Sequence, residues 1–225
     1  MKILGIIPAR GGSRGIPKKN IKLLNGKPLI AYTIESALSS NLDTVVVSTD
    51  CPEIIKISEQ YGAKTLMRPK ELSLDESATL PVIQHVISNL NESYDLVMTL
   101  QPTSPLRNKE HINKALSIFL KNHDADSLVS VVEVPHNFSP EKLMKFDGKY
   151  LTGSEEVKRR QEISTIYARN GAAIYITKVK RLNKYIFGGR GLPFFMSKID
   201  SFDIDDMEDW QIVERILPAK YSNKF

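Results

Sequence analysis

Residues 2–20 read KILGIIPARGGSRGIPKKN, an apolar run that ends in two adjacent glycines, a serine and a third glycine. The run reads as a short buried strand. Arg10, Arg14, Lys18 and Lys19 are threaded through the segment behind it, with Lys22 just beyond. Flexible backbone and concentrated positive charge directly after a buried strand suit one task, holding a polyanion. Gly11, Gly12 and Gly15 let the chain bend tightly and bring N–H groups close to a ligand. Arg10, Arg14 and Lys19 supply charge, and Ser13 a hydroxyl donor. The spacing matches neither G-x-x-x-x-G-K-[ST] nor G-x-G-x-x-G, so the cradle is not a Walker loop or a dinucleotide fingerprint. The alternative is a solvated basic loop.

Outward from this loop the chain alternates. PLIAYTIESALSS has helical apolar spacing, TVVVSTD is an apolar strand, and PEIIKISEQYG is helical with Gly62 placed to end it. AKTLMRP is a third strand. A helix over about 77–90, the strand DLVMTL, a helix over about 109–120 and the strand DSLVSVVEV follow. Strands alternating with helices of this length predict a doubly wound, mostly parallel α/β sheet covered on both faces. After Pro135 the pattern changes. LMKFDGKYL reads as a hairpin turning at Asp147-Gly148, AAIYIT as a buried strand, FDID as short and extended, and MEDWQIVERIL as a final amphipathic helix. The expectation is a single domain over 1–225, with an excursion from the sheet at about 135–169.

Ligands of open α/β sheets bind beyond the carboxyl ends of the strands. Four unusual sequences fall there: ARGGSRGIPKKN, STD, LQPTSPLR and FDID. On a strand, Asp203 and Asp205 would share one face about 6.6 Å apart at their Cα atoms, with Ile204 turned to the core. Two such carboxylates suit Mg²⁺, which also takes phosphate oxygens and water. Asp206, with Glu208 and Asp209 behind it, reads instead as the cap of the last helix.

Bulk properties exclude several classes. The chain has 225 residues, 41% hydrophobic and 25% charged, with a formal charge of +5. No apolar run is long enough to span a membrane, and the start has no signal-peptide layout. A single cysteine, Cys51, allows no internal disulfide, and the expected location is cytoplasmic. The positive charge is not gathered into basic blocks interleaved with aromatics, which argues against nucleic acid. The four histidines are scattered without metal-ligand spacing.

The segments IIPARGGSRGIPKKNIKLLNGKPLIAYTI, VVVSTD, RPKELS, LQPTSPLR, RRQE, ARNGAAIYI and FDID, in this order over nearly the whole chain, resemble the acylneuraminate cytidylyltransferase family. These are the CMP-sialic acid synthetases and related CMP-nonulosonic acid synthetases. The resemblance implies a nucleotide-diphospho-sugar transferase-like fold and a homodimer built through the hairpin excursion. It also implies Mg²⁺-dependent attack of a nine-carbon α-keto acid sugar on the α-phosphate of CTP, giving CMP-sugar and pyrophosphate. By position, Arg10, Gly11, Ser13, Arg14, Lys19, Asn20, Arg68 and Thr79 would contact the nucleotide, with Arg10 and Lys19 acting in catalysis. Gln101, Thr103, Ser104, Arg160, Arg169 and Asn170 would serve the sugar, and Asp203 and Asp205 the metal and the reaction. Arg14 stands where many members have lysine. The rival expectations are an octulosonate-activating synthetase, whose loop differs from GGSRGIPKKN, and a non-catalytic nucleotide sensor.

Overall fold

A computed structural model of the chain describes residues 1–74, 76–153, 161, 164–169 and 173–222. Arg160 and Asn170 lie outside the described residues. Numbering the strands of the main sheet and the α-helices in chain order, the core runs β1 (Ile3–Pro8), α1 (Leu29–Leu38), β2 (Thr44–Thr49), α2 (Pro52–Gln60) and β3 (Lys64–Met67). It continues with α3 (Thr79–Ser88), β4 (Leu96–Thr99), α4 (Lys109–Lys121), β5 (Ser127–Glu133), β6 (Tyr167–Arg169), β7 (Tyr175–Lys178), β8 (Gly191–Phe195) and α5 (Met207–Ser222).

The sheet order is β6-β5-β7-β4-β1-β2-β3, with β8 also on β5. β1 pairs parallel with β2 on one side and β4 on the other, and β2 pairs parallel with β3. β8 is parallel to β5, while β7 lies antiparallel between β4 and β5 and β6 antiparallel on β5, so the sheet is mostly parallel, as expected, with its antiparallel strands in one half. Side chains alternate between two buried layers. Ile7, Val45 and Val47 pack in the core with Ile30 and Ile34 of α1 and Ile54 of α2. Leu4, Ile6 and Val46 pack with Ile83 and Val86 of α3 on the other face. Cover on both faces is why β1 and β2 read as unbroken apolar runs.

Several elements differ from the sequence reading. The helix expected over 77–90 spans Thr79–Ser88. Strand β8 is absent from that reading because Pro193, which lacks an N–H, and a leading glycine disguise it; both are tolerated because β8 hangs on the outer edge of β5. FDID carries no strand ladder. Ile204 N–H donates to the Thr103 carbonyl at 2.8 Å, and its side chain is buried with Trp210, Val213 and Leu217 of α5. Asp206 Oδ1 accepts from the N–H groups of Glu208 and Asp209, and so caps α5.

The excursion forms a hairpin of Met144–Phe146 with Leu151–Gly153. Asp147 Oδ1 accepts from the N–H groups of Lys149 and Tyr150, and Gly148 takes the left-handed backbone (φ +105°) that the turn requires. The chain rejoins the sheet at β6, slightly before the expected position 169. No helix among the described residues is long and apolar enough to cross a membrane.

Candidate active site

β2 and β3 lie to one side of β1 and β4 to the other, so the order reverses between β1 and β4. Such a reversal leaves a crevice beyond the carboxyl ends of the strands. The glycine loop leaves β1 into this crevice and the LQPTSP segment leaves β4 into it. Three cavities follow one another there. The first, about 310 Å³, is lined by Arg10, Ser13, Arg14, Gly15, Lys19, Asn20, Gln101, Thr103 and Asp205. The second, about 260 Å³, shares Arg10 and Gln101 and adds Arg68, Ser77 and Thr79. The third, about 310 Å³, shares Gln101 and Thr79 and adds Arg169, Tyr175, Tyr185 and Phe187.

The glycine loop is shaped by close contacts. A β-carbon on Gly15 would overlap the Asp205 carbonyl oxygen, so only glycine lets the loop lie against the FDID segment. A β-carbon on Gly11 would stand 2.8 Å from that of Cys51. Gly11 N–H donates to Asp50 Oδ1 at 2.9 Å, and Gly11 lines a further hollow with Asp50 and Cys51 that shares Asn20 with the first cavity. Asn20, buried, donates its amide to the Arg10 carbonyl at 2.9 Å. Lys19 Nζ crosses to the Ile204 carbonyl at 2.7 Å. Lys18, in left-handed backbone (φ 53°), turns outward to an exposed ion pair with Glu53 at 2.8 Å.

Arg68 is buried at the end of β3. Its N–H donates to the Thr49 carbonyl and its Nε to Ser73 Oγ, both at 2.8 Å. Burial lowers its affinity for its proton, the charge of Asp50 opposes that, and the charge of Arg10 adds to it. Among the acids, burial pushes the Asp203 carboxyl above the usual carboxylate range. A hydrogen bond from Thr103 opposes the rise, repulsion from Asp205 adds to it, and Ser104 Oγ, donating at 3.2 Å, and Lys19 oppose it. Among the described residues no group of three or more His, Cys, Asp or Glu could hold a metal ion. A cation held by Asp203 and Asp205 would therefore complete its shell from ligand oxygens and water. That donor set fits Mg²⁺, which keeps several waters and binds through one or two carboxylates plus phosphates.

Of the expected residues, the structure gathers Arg10, Ser13, Arg14, Lys19, Asn20, Gln101, Thr103 and Asp205 around one cavity, while Asp203 and Ser104, hydrogen-bonded to each other, are close in sequence to its lining residues and do not line it. Arg68 and Thr79 line the second cavity, and Arg169 lies across the third. Gly11 borders the hollow beside Asp50 and Cys51 and does not line the first cavity.

Two residues stand outside the expected site: Asp50, and Arg107, which on sequence alone fits either a ligand contact or the start of a loop. Asp50 ends the STD run, whose place at a strand end was its only signal. Arg107, fully buried, donates to the carbonyls of Gln101 (3.1 Å) and Ala173 (2.9 Å) and to Thr33 Oγ1 (2.6 Å). It ties the LQPTSP segment to α1 and to the approach of β7. Tyr175, whose phenol burial pushes up against the opposing effect of Arg169, also belongs to the third cavity.

The family model described as Cytidylyltransferase matches residues 4–187. The chain is 36% identical over 99% of its length to an N-acylneuraminate cytidylyltransferase of Escherichia coli O18:K1:H7, covering 54% of that protein. It is 35% identical to the CMP-N,N'-diacetyllegionaminic acid synthase of Legionella pneumophila, with 96% of this chain and 97% of that one covered. To the pseudaminic acid cytidylyltransferase of Campylobacter jejuni it is 34% identical, with both chains covered in full. The chain thus spans about half the length of the neuraminate enzymes it matches and nearly all of the other two. Among solved structures, a CMP:2-keto-3-deoxy-manno-octonic acid synthetase complexed with CTP superimposes with a TM-score of 0.76. That match covers 98% of this chain and 100% of that one at 17% identity, a likeness of fold. By the family model over residues 4–187 and by relatives at about 35% identity over nearly its full length, the chain belongs to the cytidylyltransferase family.

Proposed function

We propose that the protein activates a nonulosonic acid with CTP, releasing pyrophosphate and giving the CMP-sugar for cell-surface glycan biosynthesis. The observation that carries this reading is the meeting of the cationic glycine loop and the acidic FDID segment in one crevice, joined by Lys19. The relatives' names, which include neuraminic, legionaminic and pseudaminic acid enzymes, support the substrate class.

In this reading the triphosphate lies along the first cavity against Arg10, Ser13, Arg14 and Lys19, and the base and ribose reach the second cavity at Arg68 and Thr79. The acid sugar takes the third cavity and its border, served by Gln101, Thr103, Ser104 and Arg169, together with Arg160 and Asn170. The anomeric hydroxyl oxygen forms a bond to the α-phosphorus and releases its proton to water, while the bond from that phosphorus to the bridging oxygen of pyrophosphate breaks. Mg²⁺, held by Asp203 and Asp205, would supply charge neutralisation at the phosphates. Arg10 and Lys19 offset the charge that grows on the departing pyrophosphate, since nucleotidyl transfer rests mainly on positioning and electrostatics. The protein acts as one nucleotidyltransferase domain in the cytoplasm, as a homodimer joined through the 135–169 excursion.

The test is a pyrophosphate-release assay with CTP, Mg²⁺ and a panel of neuraminate, legionaminate, pseudaminate and octulosonate acceptors. Release requires both the metal and a nine-carbon acid, and ATP, GTP and UTP support far less. Turnover that ignores the acid, turnover only with the octulosonate, or no turnover at all would sink the reading.

A further inference from the structure

The peptide group between Arg10 and Gly11 is held from both sides. Asn20 donates to its carbonyl oxygen at 2.9 Å, and its N–H donates to Asp50 Oδ1 at 2.9 Å. In a planar trans peptide these two atoms point in opposite directions, so two side chains fix the plane of one peptide unit. That plane sets the direction in which Arg10 leaves the backbone, and Arg10 lines both the first and the second cavity.

We propose that Asp50 is a positioning residue of the nucleotide site, which clamps the Arg10–Gly11 peptide against Asn20 and so aims Arg10 at the bound triphosphate. The inference rests on the CTP reading above. It adds a residue that lines neither the first nor the second cavity and instead borders a hollow with Gly11, Asn20 and Cys51. Its location fits the task. Asp50 follows directly on β2, whose last residue, Thr49, accepts the N–H of Arg68, so one strand end braces both arginines of the crevice. The charge of Asp50 also acts on Arg68, opposing the larger effect of burial and the smaller one of Arg10. Gly11 is part of the same device. With its N–H on Asp50 and its Cα against Cys51, the loop lies too close to the start of α2 for a side chain there.

The two contributions of Asp50 separate by substitution. Asp50→Asn keeps an oxygen that accepts from Gly11 and loses the charge, whereas Asp50→Ala loses both. Hydrogen exchange of the peptide covering residues 9–15 reads the clamp without any turnover. Exchange should accelerate in Asp50→Ala and stay near wild type in Asp50→Asn. In kinetics at saturating acid sugar, kcat/KM for CTP should fall about tenfold or more in Asp50→Ala and stay within about threefold in Asp50→Asn, as expected for loss of one charged hydrogen bond. KM for the acid sugar should stay within about twofold in both, because the clamp acts on the nucleotide side. If Asp50→Ala does not fold, Asp50→Ser, whose hydroxyl is too short for the same reach, replaces it with the same expected losses. Unchanged exchange, normal CTP kinetics despite faster exchange, or equal loss for both substrates overturns the inference. A wild-type protein that neither binds CTP in calorimetry nor turns it over overturns the CTP reading itself, while the exchange result still stands for the clamp.

Discussion

Lys19 Nζ donates to the Ile204 carbonyl at 2.7 Å, a contact between residues 185 positions apart. Ile204 is buried beneath α5, which leaves Asp203 and Asp205 on either side of the carbonyl that Lys19 grips. The first loop and the last loop of the crevice are thus closed on one another by a cation. Its position beside the two acids makes Lys19 the side chain best placed to respond when phosphates and a metal ion enter.

Lys19 and its neighbour Lys18 should therefore separate sharply. Lys19→Ala removes the bridge to the acidic segment and a charge lining the first cavity, and kcat/KM for CTP should drop about a hundredfold, the scale for one charge-stabilising donor. Lys18→Ala breaks only an exposed ion pair with Glu53, and activity should stay within about threefold. Equal losses in steady-state assays would mean that the loop acts as a diffuse field and not through a defined contact.

The acid pair yields a stability prediction as well as a kinetic one. Burial holds the Asp203 carboxyl above the usual range. The native state thus keeps its proton more firmly than the unfolded chain does, and this group's contribution to stability falls as pH rises from the unfolded carboxylate value toward the folded one. Asp203→Asn, which keeps an acceptor for Thr103 and Ser104, should leave the melting temperature without Mg²⁺ equal to or above wild type at neutral pH. Asp203→Asn and Asp205→Asn should each cut turnover about a hundredfold or more if they hold the ion that organises the phosphates. Near-normal turnover in either variant, with loss in Asp206→Asn instead, would move the metal to the helix cap.

How much of this was legible can be judged residue by residue. The β-α alternation through β5 is written in local periodicity, and Gly62, Asp147-Gly148 and the Asp206 cap in turn and cap chemistry. Strand β8 was hidden because its pairing with β5 is a tertiary fact that Pro193 locally contradicts. FDID was read as a strand because alternation alone cannot distinguish a ladder from a segment fixed by one hydrogen bond and one buried isoleucine. Asp50 and Arg107 stay undecided on sequence alone for a shared reason. Their partners, Gly11 for the one and Gln101, Ala173 and Thr33 for the other, are brought together only by the crossovers of the sheet.

Arg107 gives a prediction about the scaffold under the site. Replacing it with leucine leaves the Gln101 and Ala173 carbonyls and the Thr33 hydroxyl without the donor that now reaches all three. Thr33 Oγ1 still donates to the Gln101 carbonyl at 3.4 Å, so at about 1 kcal/mol or more for each polar group left short of a partner the loss of unfolding free energy should be about 2 kcal/mol or more. Arg107→Lys should recover little of it, because an ammonium lacks the planar fork that spans the three acceptors. Denaturant unfolding measures this directly, and a loss under about 1 kcal/mol in Arg107→Leu would show that the site tolerates its collapse.

The hairpin of the excursion tests the assembly. Its register sets Phe146 opposite Leu151 and Met144 opposite Gly153, so Met144, Phe146 and Leu151 share one face, while Lys145 and Thr152 share the other. In the single chain those apolar side chains are 57%, 67% and 61% exposed. A two-stranded hairpin is marginal in water without a surface to cover such a face. A second copy of the chain is the cover proposed here, so light scattering should find a homodimer. Phe146→Glu with Leu151→Glu should yield monomers, because two carboxylates would have to be buried without partners in the joined state. Those monomers should keep the β1/β4 crevice of each chain, since the described hairpin residues line none of its three cavities. A wild-type monomer, or a double variant that remains dimeric, would place the interface elsewhere.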